Sequence, residues 1–278
     1  MEPGMDPDIY IGMAAPIRKT YTKLTDEKTM AAEIDRVIEE GVKSKLPVYI
    51  YVPMDVVAVQ LDSTRLETPL KTSIISQNSQ VEDEVVRSIL ELIQKSSNPA
   101  ILADVLAIRH GGQELTRRLV NATNFPNYST PLSKGVIQET GPNYNGVYNG
   151  SGMGNLSLMN GTPLNRTIVS FPGCAESLES SDLVLNIGPL LSDSNTGGFT
   201  RNIPDNKLVM LAHDHIQIHD KNFEGLHFLP VLKRIVEELE KQPAQYSLPR
   251  SQSQARIEVA YNLLVAFETT LTRNRLLC

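Results

Sequence analysis

NPAILADVLAIRH, residues 98–110, decides how the rest of the chain reads. Within it, PAILADVL (99–106) is apolar without alternation and too short for a typical helix. A continuous apolar run of that length suits a strand covered on both faces, which is the situation inside a parallel sheet. The strand needs helices on either side to make its crossovers, and the sequence supplies them. Before it, VEDEVVRSILELIQK (81–95) sets Val85, Ile89, Leu92 and Ile93 on one face of a helix, and SSNP makes the turn. After it, GQELTRRLVNAT (112–123) reads as a second helix.

The alternation continues in both directions. Downstream come a short segment near Phe125 to Thr130 and a Gly-, Pro- and Asn-rich loop over 130–150. Then follow a helix at 175–182, the strand LVLNIG at 183–188 and the loop SDSNTGGF at 192–199. Strands at 207–214 and 215–218 and a helix at 227–241 complete the unit; Pro230 is acceptable in the first turn, where its missing N–H has no helical partner. Upstream, 26–44 is a helix with Met30, Ile34, Val37 and Ile38 at helical spacing, and PVYIYVP (47–53) is a buried parallel strand. Residues 54–80 read as a linker. Strands alternating with helices define an α/β fold with a doubly wound, Rossmann-like parallel sheet.

Composition narrows the function classes. The 278 residues are 41% hydrophobic and 21% charged, with a net charge of −6, so no concentrated basic surface points to nucleic acid. No apolar run spans a membrane, and no secretory signal opens the chain. Two cysteines, Cys174 and Cys278, argue against a disulfide framework and for a cytoplasmic setting.

The phrases AEIDRVI, PVYIYVP, NPAILADVLAIRH, FPNYSTPLSKGVIQETGPNYNGVY, ESSDLVLNIGPLLSDSNTGGF and the pair Asp214-His215 occur in one order and spacing. Together they resemble the thiamine-diphosphate-dependent 2-oxo acid decarboxylases of the pyruvate and indolepyruvate decarboxylase type. The resemblance implies that residues 1–62 match the end of a pyrimidine-binding domain and 63–242 the central domain, leaving 243–278 as a tail without counterpart. It also implies the cofactors thiamine diphosphate and magnesium. The family's activating glutamate, its adjacent histidine pair and its Gly-Asp-Gly…Asn-Asn magnesium motif have no match here. The chain is therefore expected to be an internal fragment that binds neither cofactor alone and is catalytically incomplete, with homo- or hetero-oligomers of family members as partners. Two alternatives stand beside it: a module that pairs with a full-length decarboxylase, and a nucleotide-binding α/β protein.

Several residues carry specific expectations. The resemblance places Arg109 where regulated members have an arginine of the substrate-activation pocket. The matching tyrosine and cysteine positions hold Val42 and Leu106, so a regulatory remnant at Arg109 lacks convergent donors and an ion pair is the plainer role. His213, His215 and His219 alternate along a strand, yet no cysteine or assured carboxylate completes a tetrahedral metal set, and hydrogen bonding at a strand end is expected. The loop with Ser192, Asp193, Asn195, Thr196 and Gly197 follows a parallel strand at its C-terminal end, where such sheets bind ligands; turn formation is the competing role. GSGMG (150–154) lacks the full dinucleotide-loop spacing. It opens a stretch, 152–170, that has no family counterpart and resembles a translated intron, and the tail is expected to hold a helix at 255–273.

Overall fold

The computed structural model describes residues 8–74, 79–150, 170 and 173–242. Most of the 152–170 insert and the whole tail, with its expected helix and Cys278, lie outside the described residues. The chain divides into two compact units, residues 1–75 and 76–278.

The first unit contains α1 (Asp8–Met13), β1 (Thr20–Lys23), α2 (Met30–Ser44) and β2 (Val48–Tyr51). The expected helix at 26–44 starts four residues later because Asp26 makes a turn of its own. Its carboxylate accepts from Lys28 N–H at 3.1 Å, and its backbone carbonyl accepts from the amides of Thr29 and Met30. At the far end Lys45 adopts a left-handed conformation, φ 57°, and its N–H closes on the Gly41 carbonyl. β2 pairs in parallel with β1, Thr20 opposite Val48 and Lys23 opposite Tyr51. TYTK has too short and polar a pattern to announce a strand, and β1 was not expected. The stretch after β2 is irregular save for a 3-10 turn at Ser63–Glu67, capped by the Asp62 side chain.

The second unit contains α3 (Ser79–Lys95), β3 (Pro99–Ala103), α4 (Val105–Arg109), α5 (Gln113–Thr123), β4 (Asn127–Ser129), β5 (Tyr144–Val147) and α6 (Cys174–Glu179). It continues through β6 (Leu183–Ile187), β7 (Leu208–Leu211), β8 (His215–Ile218), β9 (Lys221–Glu224) and α7 (Phe228–Lys241). The seven strands form one sheet in the order β5-β4-β3-β6-β7-β8-β9. β5, β4, β3, β6 and β7 run parallel; β8 and β9 are antiparallel additions at one edge.

Both faces of the parallel strands are covered, as continuous apolarity requires. Ile101 and Ala103 of β3 and Leu183, Leu185 and Ile187 of β6 point into a large core with α3, α5 and α7. The alternate residues Ala100, Leu102 and Val184 meet Tyr128, Tyr148, Cys174 and Leu178 on the other face. α7 is the principal cover: Phe228, Val231, Leu232, Ile235, Val236 and Leu239 are all buried. Each such side chain contributes about 1.5–3 kcal/mol on transfer from water.

Three expectations need correction. The strand expected over 99–106 ends at Ala103, because Asp104 takes up an extended conformation and caps α4 with its carboxylate. The loop over 130–150 includes β5, which its glycine and asparagines had hidden. The sheet is not wholly parallel: the turn at Ala212–Asp214 reverses the chain, and β9, half-exposed at best, offered no apolar pattern.

Candidate functional site

In a sheet of order β5-β4-β3-β6-β7, chain direction across the sheet switches between β3 and β6. The crevice beyond the C-terminal ends of those two strands is where open α/β sheets hold ligands. Asp104 stands at the end of β3, Gly188 at the end of β6, and the loop 189–200 folds over both.

Asp104 is fully buried. Oδ1 accepts from Val105 N–H at 2.7 Å, Thr130 Oγ1 at 2.7 Å and Asn195 Nδ2 at 2.8 Å. Oδ2 accepts from Leu190 N–H at 3.1 Å and from the Arg201 guanidinium at 3.3 Å. Five donors occupy a group with about four lone-pair sites, leaving none for a ligand. A buried charge needs such partners to be tolerated.

The loop spends its own polar groups on the same fastening. Asn195, buried, donates to Asp104 and to the Leu190 carbonyl at 2.9 Å and accepts from Leu132 N–H at 3.2 Å. Thr196 Oγ1 donates to the Ser192 carbonyl at 2.7 Å and accepts from Phe199 N–H at 3.0 Å. Asp193 is exposed, with Oδ1 accepting from the next residue's N–H at 2.6 Å and its carbonyl from Gly198 N–H at 2.7 Å. Ser192 is half-buried. Gly197, φ 60°, lies so near Asn149 that a Cβ there would come within 1.9 Å of its carbonyl oxygen. At Gly188, φ 62°, a Cβ would sit 2.1 Å from the Ala107 nitrogen. Leu106 N–H reaches the Gly188 carbonyl at 3.0 Å, so α4 rests directly on the end of β6. Beside the crevice Tyr148 donates to Glu179 Oε1 at 2.7 Å, and burial followed by that carboxylate pushes its phenol well up.

The other expected residues do not join this site. Arg109 is exposed at the end of α4 and has no salt bridge among the described residues. Leu106 is buried, and Val42 lies on α2 of the other unit. His213, His215 and His219 do not converge. His215 Nδ1 is 2.8 Å from Asp214 Oδ1, His219 sits in the turn after β8 at φ 56°, and His213 stacks on His110 with ring centroids 5.1 Å apart. Among the described residues no three His, Cys, Asp or Glu side chains are placed to hold a metal ion. Asp104, Thr130 and Arg201, the residues that organise the crevice, were missed. Asp104 had one signal, an acidic residue between an apolar strand and a helix; the other two come from distant loops and had none.

A diphosphate requires free N–H groups or cations, and magnesium requires several oxygen ligands in octahedral array. The crevice offers no oxygen array for magnesium: its carboxylate is saturated, and the side chains of Asn195 and Thr196 bond within the protein. The cation there, Arg201, is committed to Asp104 through Nη2, while its Nε and Nη1 are buried without hydrogen-bond partners. Magnesium, and a diphosphate held through it, do not fit these residues, because the one carboxylate described in the crevice has no lone pair to spare.

The second unit is thus a mostly parallel α/β sheet with helices on both faces. Residues 86–239 match the model of the thiamine pyrophosphate enzyme central domain, and the chain belongs to that family. The particular relatives are pyruvate decarboxylases. Isozyme 2 of Saccharomyces cerevisiae is 36% identical over 229 residues, covering 82% of this chain and 38% of the yeast protein. The pyruvate decarboxylase of Candida glabrata is 36% identical over 228 residues, 82% and 37%, and that of Hanseniaspora uvarum 34% over 242 residues, 87% and 40%. The chain thus spans about two fifths of the length of these relatives.

Proposed function

We propose that residues 79–242 are the scaffold domain of a thiamine-diphosphate-dependent decarboxylase that converts pyruvate or a related 2-oxo acid to an aldehyde. In this reading the domain contributes rigidity and spacing, while cofactor, magnesium and substrate are held by residues outside it. One observation carries the proposal: the switch-point crevice is filled by the protein's own Asp104, Asn195 and Arg201. That same packing disfavours the nucleotide-binding alternative.

The reading also assigns a partner, a second copy or a longer family member. It is supported by the two-stranded parallel sheet of the first unit. Among the described residues β1 and β2 pair with no third strand, and Val52, Met54 and Val57 beyond β2 are exposed. Parallel strands are seldom stable as an isolated pair. The test is a coupled assay for aldehyde with pyruvate, thiamine diphosphate and magnesium, using the purified 278-residue chain alone and mixed with an intact pyruvate decarboxylase. No aldehyde from the chain alone is expected; turnover by the chain alone contradicts the assignment.

A further inference from the structure

The imidazoles of His110, His213 and His227 meet at one point although they come from three parts of the chain. His110 closes α4, His213 follows β7, and His227 precedes α7. The His110 ring lies 5.1 Å from that of His213 and 5.2 Å from that of His227, centroid to centroid. His227 also stacks on Phe228, the first residue of α7, at 5.0 Å. We propose that these three histidines form an acid-sensitive latch that fastens the N-terminus of α7 only while His227 is neutral.

The hydrogen bonds fix the protonation state that fastens it. His227 Nδ1 accepts from Leu229 N–H at 3.1 Å and so serves as the N-cap of α7. A neutral ring with a lone pair on Nδ1 carries its proton on Nε2, and Nε2 faces His110 Nδ1 at 3.3 Å. A second proton must go to Nδ1. There it meets the Leu229 N–H head on, removes the cap, and adds positive charge to the helix end that is already positive.

The surroundings decide which ring takes a proton. His213 Nδ1 is buried without a hydrogen-bond partner and lies 3.7 Å from Asp214 Oδ1. That carboxylate faces the cluster and is already shared with His215 at 2.8 Å. From α4 comes His110, and from the start of α5 come Gly111 and Gly112, which bring no charge; a Cβ on Gly112 would strike Phe228. His227 has both ring nitrogens engaged, Nδ1 by Leu229 N–H and Nε2 by His110. Its burial first, and then the nearby His110 and His213, push it down to about 4, with Asp214 opposing.

The sign follows. A histidine whose folded value lies below its ordinary ~6.5 adds stability that is complete above that value, and this stability is lost as pH falls from there toward the folded value. The latch holds at neutral pH and loosens between about pH 6.5 and 4.

The experiment is residue-resolved hydrogen exchange on the full chain, corrected for intrinsic rates, at pH 7 and pH 5, with NMR titration of the histidine rings. Protection in the first turn of α7 is expected to fall by roughly tenfold between those values, and by much less in the middle of β3. His227→Asn keeps a good N-cap that cannot titrate, and its first turn should show no acid-dependent loss. The same acid dependence in that variant overturns the latch. So does a His227 ring that titrates in the unmodified chain at or above the ordinary histidine value, a result that decides even if the variant does not fold.

Discussion

At the scale of single residues the molecule depends on groups that are used up. Asp104 joins three segments, the β3–α4 turn, the Thr130 loop and the 189–201 loop, through hydrogen bonds of 2.7–3.3 Å. Truncating it leaves the Arg201 guanidinium largely buried without its counter-charge, and Nε and Nη1 of that side chain already lack partners. Asp104→Ala should cost about 3–5 kcal/mol, read as a lower urea midpoint, because the remaining partner becomes an uncompensated buried charge. An unchanged midpoint would show that the loops hold without it. The sequence showed little of this. Asn195, Thr196 and Gly197 were singled out for their place after a parallel strand, but besides the nearby Leu190 carbonyl the partners of Asn195 are 91 residues upstream and 63 residues upstream. Spacing along a chain does not reveal which loops a sheet will bring together, and the His110, His213 and His227 cluster was invisible for the same reason.

At the scale of elements, what was legible was what burial writes into a pattern. The helices with apolar faces, α2, α3, α5 and α7, and the doubly covered strands β3 and β6 all stood out, because each must hide a stripe or two faces from water. β1, β5 and β9 did not: they are short and partly polar, β9 mostly exposed and β1 and β5 mostly half-buried, so their pairing is set by neighbours and not by their own residues. The same dependence on neighbours has a consequence for β1 and β2. With no further strand paired to this sheet among the described residues, and Tyr49 and Tyr51 stacked at 5.9 Å, the first unit should self-associate. Light scattering of the purified chain should report a species larger than the monomer at micromolar concentration. Val48→Pro, which places a residue with no N–H at the start of β2, should weaken that association. A monomer unaffected by the change would mean that the edges are covered within the chain.

For the whole molecule, the second unit is one sheet with both faces covered and with its own side chains packed into the switch-point crevice, and the proposed spacer role rests on those two features. The fold class was legible from the alternation of strands and helices around NPAILADVLAIRH, and the family from six phrases in order. The role of the crevice needed the structure, since a glycine-rich loop after a parallel strand reads equally well as a binding loop or a fastened turn. The direct test of that role is isothermal titration of the 278-residue chain with thiamine diphosphate and magnesium, with ADP and FAD titrated in parallel. No binding heat is expected for any of them at concentrations up to the millimolar range, roughly −4 kcal/mol or weaker. A saturable heat with micromolar affinity for thiamine diphosphate or a nucleotide, lost in Asn195→Ala, would contradict it.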